Sequence, residues 1–308
     1  MATTLSKSSP SGVLQSSVEL DEITHDSITY GPDGVYAYEF DEVSEPTVSA
    51  TDLTPVTERK FPNGVYQVYG YFDDVTLMPA AADAAVTSGL VMLLDAGDTA
   101  SYPGSGTTWT DTVGSKAFTL FNGPTYNSAN GGYINFVAAS SQYGYATSFG
   151  SALTQYTVEV WHKFDGTLTG AAPVLFGEGR GTYSNFMMGT TGGRTAPLKI
   201  QGGFWNGAWQ QGTTNPGDYF QPANGWYQFV NTYDGAQIKF YANNTLRITK
   251  TPSNFTIASS GLGLNIMRRQ DAFNYWGGGM SIIRVYNRAL SAVEIEQNWT
   301  ANRARFGI

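Results

Sequence analysis

Short apolar runs separated by clusters of Gly, Asn, Ser and Thr recur through most of the chain, and this recurrence restricts the fold more than any single motif. After residue 89 they read LVMLLDA, KAFTLF, GYINFV, YTVEVWHKF, PVLFGE, NFMMGT, PLKIQGGFW, WYQFVNTYD, QIKFYANN, LRITK and SIIRVY. About eleven such runs with no long helix between them specify packed antiparallel sheets, a β-sandwich or jelly roll. At 308 residues the chain exceeds the size at which one core usually stops growing, so one large or two unequal domains are expected.

Before residue 71 the alternation is of the same kind but sparser. Tyr36, Tyr38 and Phe40 share one parity against Ala37, Glu39 and Asp41, and GVYQVYGYF follows a Pro62-Asn63-Gly64 turn signal. Pro46, Pro55 and Pro62 confine the intervening stretch to loop and short edge segments. Residues 21–85 therefore read as a small β domain, residues 1–20 as a Ser/Thr-rich polar arm, and PAAADAAVTSG, with no aromatic anchor, as the linker to a domain over 90–308.

The other end of the chain carries the one strong helix signal. Ser291-Ala-Val-Glu294 has capping-box spacing, and Ala292, Ile295 and Trp299 then form an apolar stripe that can dock on the sandwich. The Gly277-Gly278-Gly279 run ahead of SIIRVY offers freedom to turn a corner or to admit a second segment closely.

Several function classes are excluded or disfavoured. A net charge of -8 argues against a surface that tracks nucleic-acid phosphates, and the absence of cysteine excludes disulfides, thiolate nucleophiles and Cys-ligated zinc. The first residues lack the apolar run of a secretory signal and no stretch approaches a membrane span of about twenty residues, which predicts a soluble protein made in the cytoplasm.

The segment Ile283-Arg-Val-Tyr-Asn-Arg-Ala-Leu-Ser291, followed by Glu294-Ile295, resembles the carboxy-terminal signature of concanavalin A-like jelly rolls of the laminin-G type. Leu94-Asp-Ala-Gly97 with Ser101-Tyr-Pro103 and Trp109, Asn122-Gly-Pro-Thr-Tyr126, Tyr156-Thr-Val-Glu-Val-Trp161, Trp226-Tyr227 and Tyr233-Asp-Gly235 fit the same family in order. Where many members carry an acidic pair before the arginine of the last strand, this chain has Ser281 and Ile282. The LDAG…SYPG opening and the NWTANRARFGI ending are similar to jelly-roll proteins of tailed bacteriophages. The resemblance implies a virion setting, as a capsid decoration, head-fibre or tail-appendage subunit.

Members of this fold include glycosidases, so paired carboxylates about 5 Å apart must be sought. Glu159 has Thr157, Trp161 and Lys163 as same-face neighbours and no local partner. The Glu39-Phe-Asp41-Glu42-Val-Ser-Glu45 stretch lies outside the jelly roll, and its spacing is one residue too long for the glycosidase pattern. His162, at core-like parity, reads as a satisfied structural histidine, and His25 has no local triad partner. Asp95 and Asp98 could supply oxygens to calcium, against the plainer reading that they bond their own turn. The richest surface candidate is GGFWNGAWQQGTT: Phe204, Trp205 and Trp209 could stack on a sugar or a neighbouring subunit while Asn206, Gln210 and Gln211 read hydroxyls, against the plainer reading that these rings fill the core or pack a loop, and Tyr275 and Trp276 carry the same alternatives.

The sequence thus predicts an all-β, non-enzymatic protein: a concanavalin A-like jelly roll with a C-terminal helix, preceded by a small β domain and arm. Its expected role is that of a virion structural subunit, contacting capsid or tail proteins and neighbouring copies. A glycan-binding adhesin is the alternative and a glycoside hydrolase the third choice. No cofactor other than calcium is expected, and neither nucleic acid nor membrane insertion.

Overall fold

The computed structural model describes residues 85–308 except 171, 180–182, 191–199, 207, 214–224, 260 and 271–273, together with the backbone of six strands before residue 71. Side chains are described only in the former part, those of 183, 209 and 211–213 excepted. The chain divides into two compact units, Met1–Asp83 and Ala84–Ile308. No helix among the described residues is long and apolar enough to cross a membrane.

In the first unit, His25–Tyr30, Tyr36–Asp41, Val65–Gly70 and Thr57–Lys60 form a four-stranded antiparallel sheet in that order. Within residues 1–20, read from sequence as a polar arm, Thr3–Ser8 pairs antiparallel with Leu14–Leu20. Backbone pairing of this kind leaves little trace in composition, which is what the arm reading rested on.

The second unit is a sandwich of a nine-stranded and an eight-stranded antiparallel sheet. The centre of the larger sheet is the pair Tyr156–Leu168 and Asn274–Tyr286, flanked by Leu90–Asp95, Tyr133–Phe136 and Trp226–Tyr233. The smaller sheet runs Trp209–Thr213, Ile200–Asn206, Tyr183–Thr190, Val174–Glu178, Leu264–Ile266, Tyr143–Ala146, Ala117–Phe121, Thr108–Thr110. Alternate residues from the two inner faces, among them Met92, Leu94, Val158, Val160, Ile283 and Val285 from one and Phe118, Leu120, Phe176, Leu264 and Ile266 from the other, make one continuous core.

The two central strands are buried on both faces because the helix Ala292–Phe306 covers the outer face of the larger sheet. It begins as the capping box dictates: Glu294 N donates to Ser291 Oγ (3.3 Å) and Ser291 N to Glu294 Oε2 (2.8 Å). Its buried stripe differs from the expected one, however. Ala292 is exposed, and Ile295, Asn298, Asn302 and Phe306 face the sheet, with Trp299 at the margin. Apolar contact comes from Trp161, whose ring stacks on Phe306 and Trp299 at centroid distances of 4.6 and 5.5 Å.

The two asparagines are explained by what lies beneath them. Glu159 is fully buried, and its Oε1 accepts from Trp161 Nε1 (2.7 Å), Gln228 Nε2 (3.0 Å) and Arg284 Nη1 (3.1 Å). Asn298 Nδ2 donates to its Oε2 (2.7 Å), and Arg284 Nη2 donates to Asn302 Oδ1 (3.4 Å). An ionised carboxylate in an apolar layer requires such a full set of donors, so the helix supplies amides where periodicity alone would place leucines. A second ion pair closes the helix end: Arg305 donates to both oxygens of Asp95 at 2.8 Å and to Ser281 Oγ at 2.9 Å.

The glycine run lies inside the long last strand rather than ahead of it. Gly278 has φ +123°, and a Cβ there would stand 2.0 Å from Lys163 O, at a register shift against the neighbouring strand. Close approach of a second segment is thus the role these residues serve.

Candidate functional site

The outer face of the smaller sheet carries an aromatic cluster that follows from strand parity. In Ala117–Phe121, Phe118 and Leu120 point into the core, which turns Phe121 outward; in Tyr143–Ala146, Gly144 and Ala146 point inward and Tyr143 outward. Antiparallel register sets Phe121 opposite Tyr143, and their rings stack at 4.7 Å with an interplanar angle of 8°. Tyr275 contributes a third ring 6.1 Å from Tyr143. The guanidinium carbon of Arg268, which is opposite Tyr275 in a short strand pair, lies 4.1 Å from the centroid of Tyr143. Phe121 is the most exposed of the three rings at 36%, and exposed Val137 lies nearby. Gln142 fixes this edge: its amide accepts from Val137 N (2.7 Å) and donates to Asn122 O (2.9 Å) and Gly123 O (3.0 Å).

Of the residues expected at a binding surface, only Tyr275 enters this cluster. Phe204 and Trp276 are wholly buried, which removes them from any surface a glycan or partner could touch. The ring of Phe204 packs 4.9 Å from Tyr233, and Trp276 Nε1 donates to His162 Nε2 (2.9 Å). Trp205 is half-buried, and strand register sets it opposite Trp209, whose side chain lies outside the described residues, as does that of Gln211. Asn206 and Gln210 are occupied by structure. Asn206 Oδ1 accepts from Gln210 Nε2 (3.1 Å), and Gln210 Oε1 accepts from Ser253 N (2.8 Å) and Asn254 N (3.3 Å), which holds the adjacent loop.

Phe121 and Tyr143 were legible as outward residues from their parity with Thr119 and Tyr145. Arg268, in the irregular stretch IMRRQDAF, gives no local signal.

Asp95 and Asp98, the calcium candidates, make local contacts. Both oxygens of Asp95 meet Arg305, and Oδ1 also accepts from Gly97 N (2.8 Å); Asp98 Oδ1 accepts from Ala100 N (2.9 Å). These are the turn contacts of the plainer reading, with an arginine added. No group of three or more His, Asp or Glu suited to a metal occurs among the described residues.

Two glutamates and the histidine of the jelly roll sit deep in the fold. Glu178 is buried and accepts from Asn185 N (2.8 Å) and Ser259 Oγ (2.6 Å), while Glu159 lies under the helix. His162 is fully buried with Nδ1 2.8 Å from Gly279 O, so Nδ1 carries the proton and Nε2 accepts from Trp276. Burial lowers its pKa to about 3, against a smaller upward pull from the Gly279 carbonyl. Glu39, Asp41 and His25 have side chains outside the described residues.

A family model described as the concanavalin A-like lectin/glucanases superfamily, laminin-G type, matches residues 138–296. A search of curated proteins finds no match. Among solved structures, the binding domain of Paraclostridial Mosquitocidal Protein 1 aligns with a TM-score of 0.53 at 12% identity, over 70% of this chain and 52% of that one. The ligand-binding domain of botulinum neurotoxin serotype D, in complex with N-acetylneuraminic acid, aligns at 0.53 and 11% identity over 71% and 52%. Domain 4 of an extracellular arabinanase from Geobacillus stearothermophilus, in complex with arabinotriose, aligns at 0.50 and 14% identity over 69% of this chain and 98% of that one. The chain thus spans about half the length of the two toxin domains, and at these identities the likeness is one of fold.

Proposed function

Because the chain belongs to the concanavalin A-like lectin/glucanases superfamily, we propose that its jelly roll is a non-catalytic carbohydrate-binding module that works through the Phe121, Tyr143 and Tyr275 cluster. The observation that carries this reading is a half-exposed aromatic surface with a guanidinium set into it, on the outer face of a rigid sheet. A ring of this kind stacks on the apolar face of a pyranose, and a guanidinium hydrogen-bonds its polar substituents. The bound sugars of the arabinanase and neurotoxin domains agree with such a use of the fold. A non-catalytic role is supported by Glu159 and Glu178, which are both buried and held by hydrogen bonds inside the fold, unlike a carboxyl pair that must flank a scissile bond.

Phe121→Ala should weaken oligosaccharide binding at least tenfold in a glycan array followed by titration calorimetry, with only a modest fall in melting temperature, because the ring lies on the outer face of the sheet and its main contact is the stack on Tyr143. Full retention of binding by this variant and by Tyr275→Ala would remove the cluster from the function. Hydrolysis of a bound oligosaccharide would overturn the non-catalytic reading.

The virion setting is part of the same proposal and rests on the likeness of LDAG…SYPG and NWTANRARFGI to phage jelly rolls. A jelly roll displayed outward on a particle is well placed to meet host-surface glycans, and the N-terminal unit would make the contacts with capsid or tail proteins. Deleting residues 1–20 should then abolish incorporation into particles, measured by co-sedimentation. Normal incorporation of the deleted protein would end this part of the proposal.

A further inference from the structure

Among the described residues, Arg268 is a buried guanidinium in no ion pair. Arg284, Arg288 and Arg305 pair with Glu159, Glu294 and Asp95. Arg268 is only 9% exposed, its Nε is enclosed without an acceptor, and no carboxylate among the described residues pairs with it. Its position is set by the backbone, through antiparallel pairing with Tyr275 and a left-handed conformation at Met267, where φ is +60°. Asn265, in the middle of the preceding strand Leu264–Ile266, donates to Gly263 O (2.8 Å) and Gln270 Oε1 (3.1 Å), and its enclosed Oδ1 also lacks a partner.

Stacking on Tyr143 offsets only part of the cost of desolvating a guanidinium, because a cation over a tyrosine ring gains about 0.5–2 kcal/mol and the burial of a charge costs several. An anion at the terminal amines would complete the arrangement. The planar fork of arginine matches a planar carboxylate in a bidentate pair, and a sugar held against Tyr275, the strand partner of Arg268, would bring such a group within reach. We propose that this cluster selects sugars that carry a carboxylate, with Arg268 as the residue that reads it. The inference rests on the carbohydrate-binding reading and names its ligand class.

The test compares acidic sugars with matched neutral forms: sialyllactose with lactose, and trigalacturonate with its methyl ester, by titration calorimetry on the full chain. At least one acidic ligand should bind tenfold or more tightly than its neutral partner, and in Arg268→Gln that ratio should fall to about one. In the unaltered protein the ratio should also shrink as salt rises from 50 to 500 mM, which keeps the inference testable if the variant fails to fold. Equal affinity for acidic and neutral forms would overturn the inference and leave the carbohydrate reading standing, as would an undiminished ratio in a folded Arg268→Gln. A sulfated lactose bound as tightly as sialyllactose would overturn the carboxylate assignment. Absence of binding to every sugar on the array would overturn the carbohydrate reading and this inference with it.

Discussion

Arg284→Met should destabilise the jelly roll by about 3–5 kcal/mol, because it leaves the carboxylate of Glu159 buried without its cation. Glu159 and Arg284 are 0% and 7% exposed at their side chains, so water does not replace the lost partner. The remaining donors, Trp161 Nε1, Gln228 Nε2 and Asn298 Nδ2, are neutral and solvate the charge only in part. For a domain of this size the loss corresponds to a fall in melting temperature of roughly 6–20 °C, measurable by calorimetry. The double variant Glu159→Met/Arg284→Met should recover much of the loss, since it removes the uncompensated charge together with its partner, and a double-mutant cycle would give the coupling directly. A loss under about 1 kcal/mol in Arg284→Met would show that the pair is solvated and that the helix is not held by it.

This network also marks where reading from sequence stops. The sandwich was legible because alternation and turn residues are local, and the terminal helix because Ser291 and Glu294 are three residues apart. Glu159 is separated from Arg284 by 125 residues and from Asn298 by 139, so nothing in the neighbourhood of any one of them announces the others. A helical stripe was sought among apolar residues, and Asn298 and Asn302 were passed over because an amide is buried only when a distant group needs it. Aromatic side chains posed the opposite difficulty. Phe204 and Phe121 are the same residue type on similar strands, and only their parity against the core separates a ring packed inside on Tyr233 from one stacked on Tyr143 at the outer face. Arg268 was invisible for a third reason: its isolation from carboxylates is a property of the folded surroundings.

His162 should make the protein acid-sensitive well above the range in which its carboxylates protonate. In the unfolded chain an imidazole takes up a proton near pH 6.5, whereas burial holds His162 neutral in the fold down to about pH 3. Below pH 6.5 the unfolded state therefore binds one proton more than the folded state, and stability falls as pH falls, by about 1.4 kcal/mol per unit until the folded pKa is reached. The contribution is fully present above pH 6.5 and amounts to a loss of about 2 kcal/mol at pH 5. Glu294 acts lower: its carboxyl, drawn down to about 2 chiefly by the hydrogen bond from Arg288, loses its contribution only as pH falls from about 4.5 through 2. The interval from pH 6.5 to 5 thus isolates the histidine from that pair. Thermal unfolding at pH 7.5 and pH 5.0 should show the drop in the unaltered protein and a much smaller one in His162→Gln, whose amide can donate to Gly279 O and accept from Trp276 Nε1 as the neutral imidazole does. The slope against pH is the readout, so a variant that is less stable at both pH values still decides the matter. An equal drop in both proteins would mean that His162 takes its proton within the fold, through an opening of the strand pair beneath the Gly277–Gly279 run.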